Sequence, residues 1–211
     1  MTHLFKVGLT GGIASGKSTV ARRWSESGAP DAAVIDTDQL AHRTLEPRSP
    51  VWRKVVDYFG RDIVNPDGTI DRRRLGELVF SDPEKRQALN QMVHPAVRQM
   101  WHDSTRLWEH EGRFRSAIVV IPLLYETGAE TEFDRVVVVA CHEQTQRQRL
   151  AAMGLTDDQA RARLRAQWPT QQKIDRADYV IWNDGTLQTL SNQADLIWSA
   201  LKENQNATTQ N

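Results

Sequence analysis

The chain has 211 residues, which suits one domain or one domain with a modest insertion. Its 27 lysines and arginines balance its 27 aspartates and glutamates, so no overall positive field attracts nucleic acid or an anionic membrane. We therefore expect neither as a partner, and any anion-binding site must be local.

The single cysteine and the N-terminal residues indicate the compartment. Cys141 cannot form an internal disulfide, which fits a reducing cytosol. The first residues hold no apolar stretch of signal-peptide length, and no run approaches the roughly 20 apolar residues of a membrane-spanning helix. We expect a cytoplasmic protein whose oligomeric state the sequence leaves open.

Short apolar runs predict strands at residues 7–10, 34–35, 117–121, 135–140 and 179–182. The runs are nearly continuous, as expected when helices cover both faces of a parallel sheet. Residues 143–176 and 185–202 are predicted to be helical, and the polar residues 202–211 are expected to fray. The fold class is therefore α/β with a central parallel sheet.

The stretch between the second and third predicted strands is longer than one crossover helix requires. Its pattern predicts helices at residues 51–59, 72–80 and 83–109, with a turn at Asn65-Pro66-Asp67-Gly68 between the first two. Pro95 is expected to break or kink the third helix. We interpret this stretch as a helical insertion that binds substrate.

A phosphate-binding motif follows the first predicted strand. Glycines in such a loop let backbone N–H groups converge on phosphate oxygens, and the helix that begins near Lys17 adds its positive dipole end. Lys17 would reach the outer phosphates of ATP, and the Ser18 hydroxyl would bind Mg²⁺. The motif, G-x-x-x-x-G-K-[ST], predicts nucleotide binding by Gly12, Ile13, Ala14, Ser15, Gly16, Lys17, Ser18 and Thr19, directly after Gly11.

Several classes of nucleotide-binding protein share this loop. The sequence contains no Asn-Lys-x-Asp guanine-reading motif, which disfavours a GTPase. A motor ATPase usually has an apolar strand that ends in Asp or Asp-Glu, whereas the strand ending at Ile121 runs into Pro122-Leu123-Leu124-Tyr125-Glu126. A kinase therefore remains the favoured class.

Two aspartates, Asp36 and Asp38, follow the second predicted strand. The carboxyl ends of parallel strands line one crevice, where a carboxylate could accept the proton of an acceptor hydroxyl. The alternative is that Asp38 only caps a helix that starts at Gln39. We favour the catalytic interpretation because a phosphate loop precedes the pair by one crossover.

The motifs also occur in an order and spacing that extend from about residue 5 to residue 200. The early ones are Leu9-Thr10-Gly11-Gly12-Ile13, Gly16-Lys17-Ser18-Thr19-Val20 and Val34-Ile35-Asp36-Thr37-Asp38. Later ones are Asp67-Gly68, Ile70-Asp71-Arg72, His94-Pro95, Pro122-Leu123-Leu124 with Glu126, Gln167, Lys173, Ala177-Asp178 and Asn183. In this order they resemble the dephospho-coenzyme A kinase family.

The resemblance implies transfer of the ATP γ-phosphate to the 3′-hydroxyl of the ribose of dephospho-coenzyme A, with Mg²⁺ bound alongside ATP. It implies a three-layer P-loop NTPase fold with a central parallel sheet, a helical substrate-binding insertion and a helical lid. Residues 1–211 would form a single kinase domain, with the insertion at about 40–113 and the lid at about 143–176. Asp38 would be the base, and substrate contacts are expected from Asp36, His94, Arg98 and Glu126.

Two positions depart from the family pattern. Ala14 stands where the family usually has glycine, and we expect little effect unless that position needs a positive φ. The lid lacks an arginine about three residues after Arg149-Leu150, where this chain has Ala152-Met153-Gly154. Arg149 and Arg163 are the candidates for stabilising the transferred phosphoryl group; the alternative is that both lie on solvated helix faces.

Two rival functions stay open. One is a P-loop kinase for a nucleoside, a nucleoside monophosphate or another small alcohol. The other is a nucleotide-dependent switch that hydrolyses ATP to control a partner.

Overall fold

The computed structural model describes residues 3–26 and 31–208. The β-strands are β1 (Phe5–Gly11), β2 (Ala32–Asp36), β3 (Ser116–Val120), β4 (Arg135–Ala140) and β5 (Tyr179–Trp182). The α-helices are α1 (Lys17–Glu26), α2 (Thr37–Thr44), α3 (Pro50–Phe59), α4 (Arg72–Ser81), α5 (Pro83–Glu111), α6 (Glu143–Ala152), α7 (Asp157–Arg165), α8 (Thr170–Ile174) and α9 (Leu187–Thr208). Each predicted strand is present, with boundaries shifted by no more than a few residues.

The strands form one sheet in the order β2-β3-β1-β4-β5. The central strand β1 pairs in parallel with β3 and β4, and β4 pairs in parallel with β5. All residues of β3, and all but the first of β4, are buried, as continuous apolar strands between two helical layers should be. The predicted α/β fold with a central parallel sheet is confirmed.

One face of the sheet packs against α1 and α9. Phe5, Val7 and Leu9 alternate along β1 and lie in the main apolar cluster with Trp24 and Trp198. The rings of the two tryptophans are 5.5 Å apart, and the indole N–H of Trp24 donates to the Ala194 carbonyl at 2.8 Å. This packing holds α1, and therefore the loop that precedes it, firmly on the sheet.

The chain divides into two compact units, residues 1–35 with 105–211 and residues 36–104. The second unit contains α2, α3, α4 and most of α5, so the helices predicted in this stretch are present. The predicted turn is also confirmed, because the Gly68 N–H donates to the Asn65 carbonyl at 2.9 Å. Trp52 braces it with a hydrogen bond from Nε1 to the Gly68 carbonyl.

Pro95 does not break α5, which continues from Pro83 to Glu111. A proline in a helix removes one backbone hydrogen bond. Val93, Val97 and Trp101, spaced at four residues on one side of α5, are all buried. Their burial offsets the lost bond. The break that was one expectation at Pro95 is wrong, and the kink that was the other stays a prediction.

Helix α9 continues to Thr208, past the point where fraying was expected to start. Met1, Thr2 and residues 209–211 lie outside the described residues. Of the helices in the described part of the chain, none is both long and apolar enough to cross a lipid bilayer.

Candidate active site

The glycine-rich motif forms the connection between β1 and α1, as predicted, and Lys17 is the first residue of α1. Gly16 has φ +107°, and a Cβ atom there would collide with the side-chain amide of Asn183. Only glycine combines this positive φ with the absence of a Cβ atom. The loop therefore has the strand–loop–helix geometry that lets backbone N–H groups face an anion.

Lys17 and Ser18 lie in the first turn of α1. The Lys17 ammonium donates to the carbonyls of Gly11 and Gly12 at 3.0 and 2.9 Å, so its charge is held over the loop. Ser18 is exposed, and its hydroxyl is the hard oxygen donor that Mg²⁺ prefers. The residues present therefore fit a Mg²⁺ ion that arrives with the phosphates of ATP.

Two glutamines hold the peptide groups of Ile13 in the loop. Gln146 of α6 donates from Nε2 to the Ile13 carbonyl at 2.7 Å. Gln167, between α7 and α8, accepts the Ile13 N–H at 2.8 Å. Gln146 is 3% exposed, so its hydrogen bond is shielded from water.

Arg149 and Asn183 hold the next two carbonyls of the loop. Arg149 Nη1 donates to the Ala14 and Ser15 carbonyls at 3.0 and 3.3 Å, and its Nη2 donates to the Asn183 carbonyl at 2.8 Å. The Asn183 amide donates to the Ser15 carbonyl at 2.7 Å. Arg149 is thus a brace of the phosphate loop rather than a residue on a solvated helix face.

Ala14 has a φ of +56°. This is the left-handed region, where a Cβ atom crowds the backbone. The exception to the expectation of little effect, a positive φ at this position, is therefore met. The sequence identifies the residue but not its torsion angle.

A cavity of about 780 Å³ adjoins the loop at Gly12, within the size range of ligand pockets. Aromatic rings of His142, Trp168 and Trp182 line part of it. Gln146 and Gln167 also lie in its wall, so the glutamines that hold Ile13 border this space as well.

Three arginines of the predicted lid line the cavity, namely Arg147, Arg161 and Arg165. Arg147 Nη2 and Arg161 Nε lie 2.5 and 2.8 Å from the Asp157 carboxylate. Arg165 has no such ion pair with any residue in 3–26 or 31–208. It lies one turn after Arg161, on the same side of α7, and is exposed.

Arg163 lies elsewhere on α7. It does not border the cavity, its Nη1 donates to the Gln159 carbonyl at 3.2 Å, and burial lowers the pKa of its guanidinium. Its predicted role in phosphoryl transfer stays a prediction, as does that of Arg149.

Glu126 is held by two partners. Its Oε1 lies 2.7 Å from Lys173 Nζ and accepts the Trp168 N–H at 2.8 Å, while its buried Oε2 has no hydrogen-bond partner among the described residues. Lys173 also donates to the Pro122 carbonyl at the end of β3. Glu126 thus ties the turn at Trp168, next to Gln167, to the carboxyl end of the sheet.

The aspartate pair separates into two structural roles. Asp36 ends β2 and caps α2, because its side chain accepts the Asp38 N–H at 2.9 Å. Asp38 lies inside the first turn of α2 and is exposed. The alternative in which Asp38 is the helix cap is therefore wrong, and Asp36 has that role.

His94 and Arg98 are one turn apart on α5, which brings them to one side of the helix. His94 is partly buried, and this desolvation lowers its pKa. Arg98 is exposed. Their predicted contact with substrate stays a prediction.

Gln146 was not among the site residues predicted from the sequence. Gln146 and Arg149 are three residues apart and so share a face of α6, and both hold loop carbonyls. This spacing could have identified Gln146 once Arg149 had been chosen. No sequence pattern identifies Arg165, because the residues that line a cavity depend on how α7 packs.

A parallel sheet with this glycine-rich loop between its first strand and first helix defines the class of P-loop nucleotide-binding proteins. The model of the dephospho-CoA kinase family matches residues 5–189. The chain belongs to the dephospho-CoA kinase family.

Individual relatives agree with this membership. The chain is 43% identical to a dephospho-CoA kinase of Geobacillus kaustophilus, over 93% of this chain and 98% of the relative. It is 43% identical to one of Symbiobacterium thermophilum, over 92% and 80% of the two chains. Among solved structures, TT1252 from Thermus thermophilus superposes with a TM-score of 0.72 at 36% identity, covering 94% of this chain and 98% of that one.

Proposed function

We propose that this protein is a dephospho-CoA kinase that transfers the γ-phosphate of ATP to the 3′-hydroxyl of the ribose of dephospho-coenzyme A. The reaction yields coenzyme A and ADP. The observation that carries the proposal is the match of residues 5–189 to this family in a chain whose β1–α1 loop has the geometry of a phosphate cradle. The chain is accordingly an ATP-dependent transferase.

The phosphate loop would bind the nucleotide. The loop N–H groups and the start of α1 present the positive ends of fixed dipoles, and Lys17 adds a full positive charge. Together they would stabilise the negative charge on the transferred phosphoryl group. Ser18 would hold Mg²⁺, which supplies further neutralisation of the phosphate charge. The cavity beside Gly12 has the volume for a nucleotide, and its rings suit a purine base.

Acceptor activation is assigned to Asp38, which would take the proton of the ribose hydroxyl as it attacks. Its exposure in the first turn of α2, the helix that Asp36 caps, supports this assignment. Residues about 40–113 are proposed as the substrate-binding insertion, with contacts from His94 and Arg98. Asp36 caps α2, and its predicted contact with substrate stays a prediction.

Residues about 143–176 are proposed as a lid that excludes water from the transferred phosphoryl group. Water in the site would otherwise compete with the ribose hydroxyl. Arg149 and Arg163 remain the proposed arginines of the lid that stabilise the transferred phosphoryl group. Arg149 also holds the phosphate loop.

The proposal is tested by ADP release with Mg²⁺-ATP and one of three acceptors: dephospho-coenzyme A, adenosine or AMP. We expect ADP release that depends on dephospho-coenzyme A, with coenzyme A as the product. Lys17→Ala should weaken both ATP binding and turnover, because its charge contacts ATP in the ground state and the transition state.

The rival functions predict different results. Turnover with adenosine or AMP, but not with dephospho-coenzyme A, would retain a P-loop kinase and reject this acceptor. Hydrolysis of ATP that no acceptor accelerates would instead favour a nucleotide-dependent switch.

A further inference from the structure

The peptide groups of Ile13 are held from both sides by side chains of the proposed lid. Gln146 of α6 donates to the carbonyl at 2.7 Å, and Gln167 accepts the N–H at 2.8 Å. The assignment of amide oxygen and nitrogen follows from the backbone, since a carbonyl requires a donor and an N–H requires an acceptor. These bonds join two separate segments of the lid to one residue of the phosphate loop.

We propose that Gln146 and Gln167 are positioning residues that orient the phosphate loop for ATP, with Gln146 the more important of the two. The inference rests on the proposed function only in that the loop binds the phosphates of ATP. Neither glutamine needs to touch the reacting atoms.

The physical reason lies in the carbonyl groups. A cradle for an anion works only if its N–H groups face the anion and its carbonyl oxygens do not. Gln146 draws the Ile13 carbonyl towards α6, and Arg149, one turn later on α6, draws the Ala14 and Ser15 carbonyls the same way. Helix α6 therefore holds three successive carbonyl dipoles in place.

The environment of Gln146 makes its bond decisive. The side chain is buried, so water cannot replace the donor that the Ile13 carbonyl would lose. A Cβ atom on Gly12 would collide with the Gln146 amide nitrogen. Because Gly12 has no side chain, it leaves the space that the Gln146 side chain occupies beside the loop.

A charge-matched pair of variants tests the proposal. Gln146→Glu and Gln167→Glu add the same negative charge beside the two peptide groups of Ile13. Gln167→Glu keeps an acceptor for the Ile13 N–H, whereas Gln146→Glu replaces the donor with an acceptor that faces the Ile13 carbonyl. The difference between the two therefore isolates the hydrogen bond from the charge.

The measurement is the dissociation constant of Mg²⁺-ATP by calorimetry, together with KM for the acceptor. We expect Gln146→Glu to bind Mg²⁺-ATP about tenfold more weakly than Gln167→Glu, with KM for the acceptor equal in the two. Equal ATP affinities would overturn the proposal. Because the binding measurement needs no acceptor, it stands even if dephospho-coenzyme A is not the substrate.

A double-mutant cycle covers the case in which Gln146→Glu does not fold. Gly12→Ala should push the Gln146 amide away from Ile13 and weaken ATP binding. In a Gln146→Ala background the added methyl meets no side chain, so Gly12→Ala should cost clearly less affinity there. Equal losses of affinity in the two backgrounds would show that Gln146 does not act through the loop.

Discussion

Lys173 Nζ lies 2.7 Å from Glu126 Oε1, and the Lys173 side chain is fully buried while that of Glu126 is 13% exposed. A buried charge that loses its partner is costly, whereas a complete pair is close to neutral. The pair also joins α8 to the carboxyl end of β3, where Lys173 donates to the Pro122 carbonyl. It therefore connects the base of the proposed lid to the sheet.

Removing one member of this pair should destabilise the protein strongly. We expect Glu126→Gln to lower the free energy of unfolding by about 3 kcal/mol, because the Lys173 ammonium stays buried without its counter-charge. The double variant Glu126→Gln with Lys173→Met should lose less than the sum of the single losses. Urea denaturation measures all three values.

The same variant tests the predicted substrate contact of Glu126. An unfolding free energy close to that of the wild type, with a raised KM for dephospho-coenzyme A, would show that Glu126 contacts substrate and that the ion pair contributes little. A loss of stability with an unchanged KM would assign it a structural role.

Ala14→Gly should stabilise the protein. The left-handed φ of +56° costs alanine about 1–2 kcal/mol, and the greater unfolded-state entropy of glycine offsets about half of this. We expect a gain of about 0.5–1 kcal/mol in the free energy of unfolding.

Ala162→Gly is the matched control for this change, because Ala162 lies inside α7. There the same substitution should cost about 1 kcal/mol. Chemical denaturation of both variants provides the comparison. If Ala14→Gly also lost stability, the φ of Ala14 would carry no strain.

The sheet and the phosphate loop could be predicted because their determinants are local. Buried parallel strands require continuous apolar runs, and the loop requires glycines at fixed spacing before a helix. The run at residues 135–140 coincides with β4, and the motif ends where α1 begins.

The contacts around the loop could not be predicted, because they join residues far apart in the sequence. The bond from the Ile13 N–H to Gln167 spans 154 positions, and that from Asn183 to Ser15 spans 168. The expected break at Pro95 does not occur for a related reason. The burial of Val97 and Trp101 in the tertiary structure outweighs the local preference of proline against a helix interior.

Arg165→Gln should weaken ATP binding. Arg165 lines the cavity beside Gly12 and has no ion pair within residues 3–26 and 31–208, so its charge is available to a phosphate. A charged hydrogen bond to phosphate contributes about 1.5–3 kcal/mol, which corresponds to a rise in KM for ATP of about tenfold or more.

Arg161→Gln is the control, since Arg161 lines the same cavity but is paired with Asp157 at 2.8 Å. We expect a smaller rise in KM for ATP from this variant, measured by ADP release. A larger effect from Arg161 than from Arg165 would show that ATP displaces the Asp157 pair.

The stability of the protein should fall as the pH drops below 6.5, in part because of His94. Burial lowers the pKa of His94 below its ordinary value of 6.5. As the pH falls through 6.5, the unfolded chain takes up the proton first, so the free energy of unfolding decreases until the pH passes the folded-state pKa. The contribution of neutral, buried His94 to the free energy of unfolding is fully present above pH 6.5.

His94→Gln removes this titration, so its stability should decrease less than that of the wild type between pH 6.5 and lower values. Denaturation at several pH values measures both slopes. Above pH 6.5 the two curves should run parallel. Identical slopes below pH 6.5 would show that His94 is equally accessible to protons in the folded and unfolded chain.

Asp38→Asn should separate chemistry from binding and folding. The carboxylate is the proposed base, so its loss should reduce kcat about 100-fold or more while the affinity for Mg²⁺-ATP stays close to that of the wild type. Asp38 is exposed and lies within α2, so the free energy of unfolding should change little. Turnover close to the wild-type value would remove Asp38 as the base.

Asp36→Ala gives the contrasting result on stability. It removes the acceptor that caps α2 at 2.9 Å, which should cost about 1 kcal/mol of unfolding free energy. Two measurements would then distinguish the two carboxylates, kcat for Asp38 and denaturation for Asp36. If Asp36→Ala were as stable as the wild type while Asp38→Asn unfolded more easily, the cap would belong to Asp38 and the proposed base would lose its structural support.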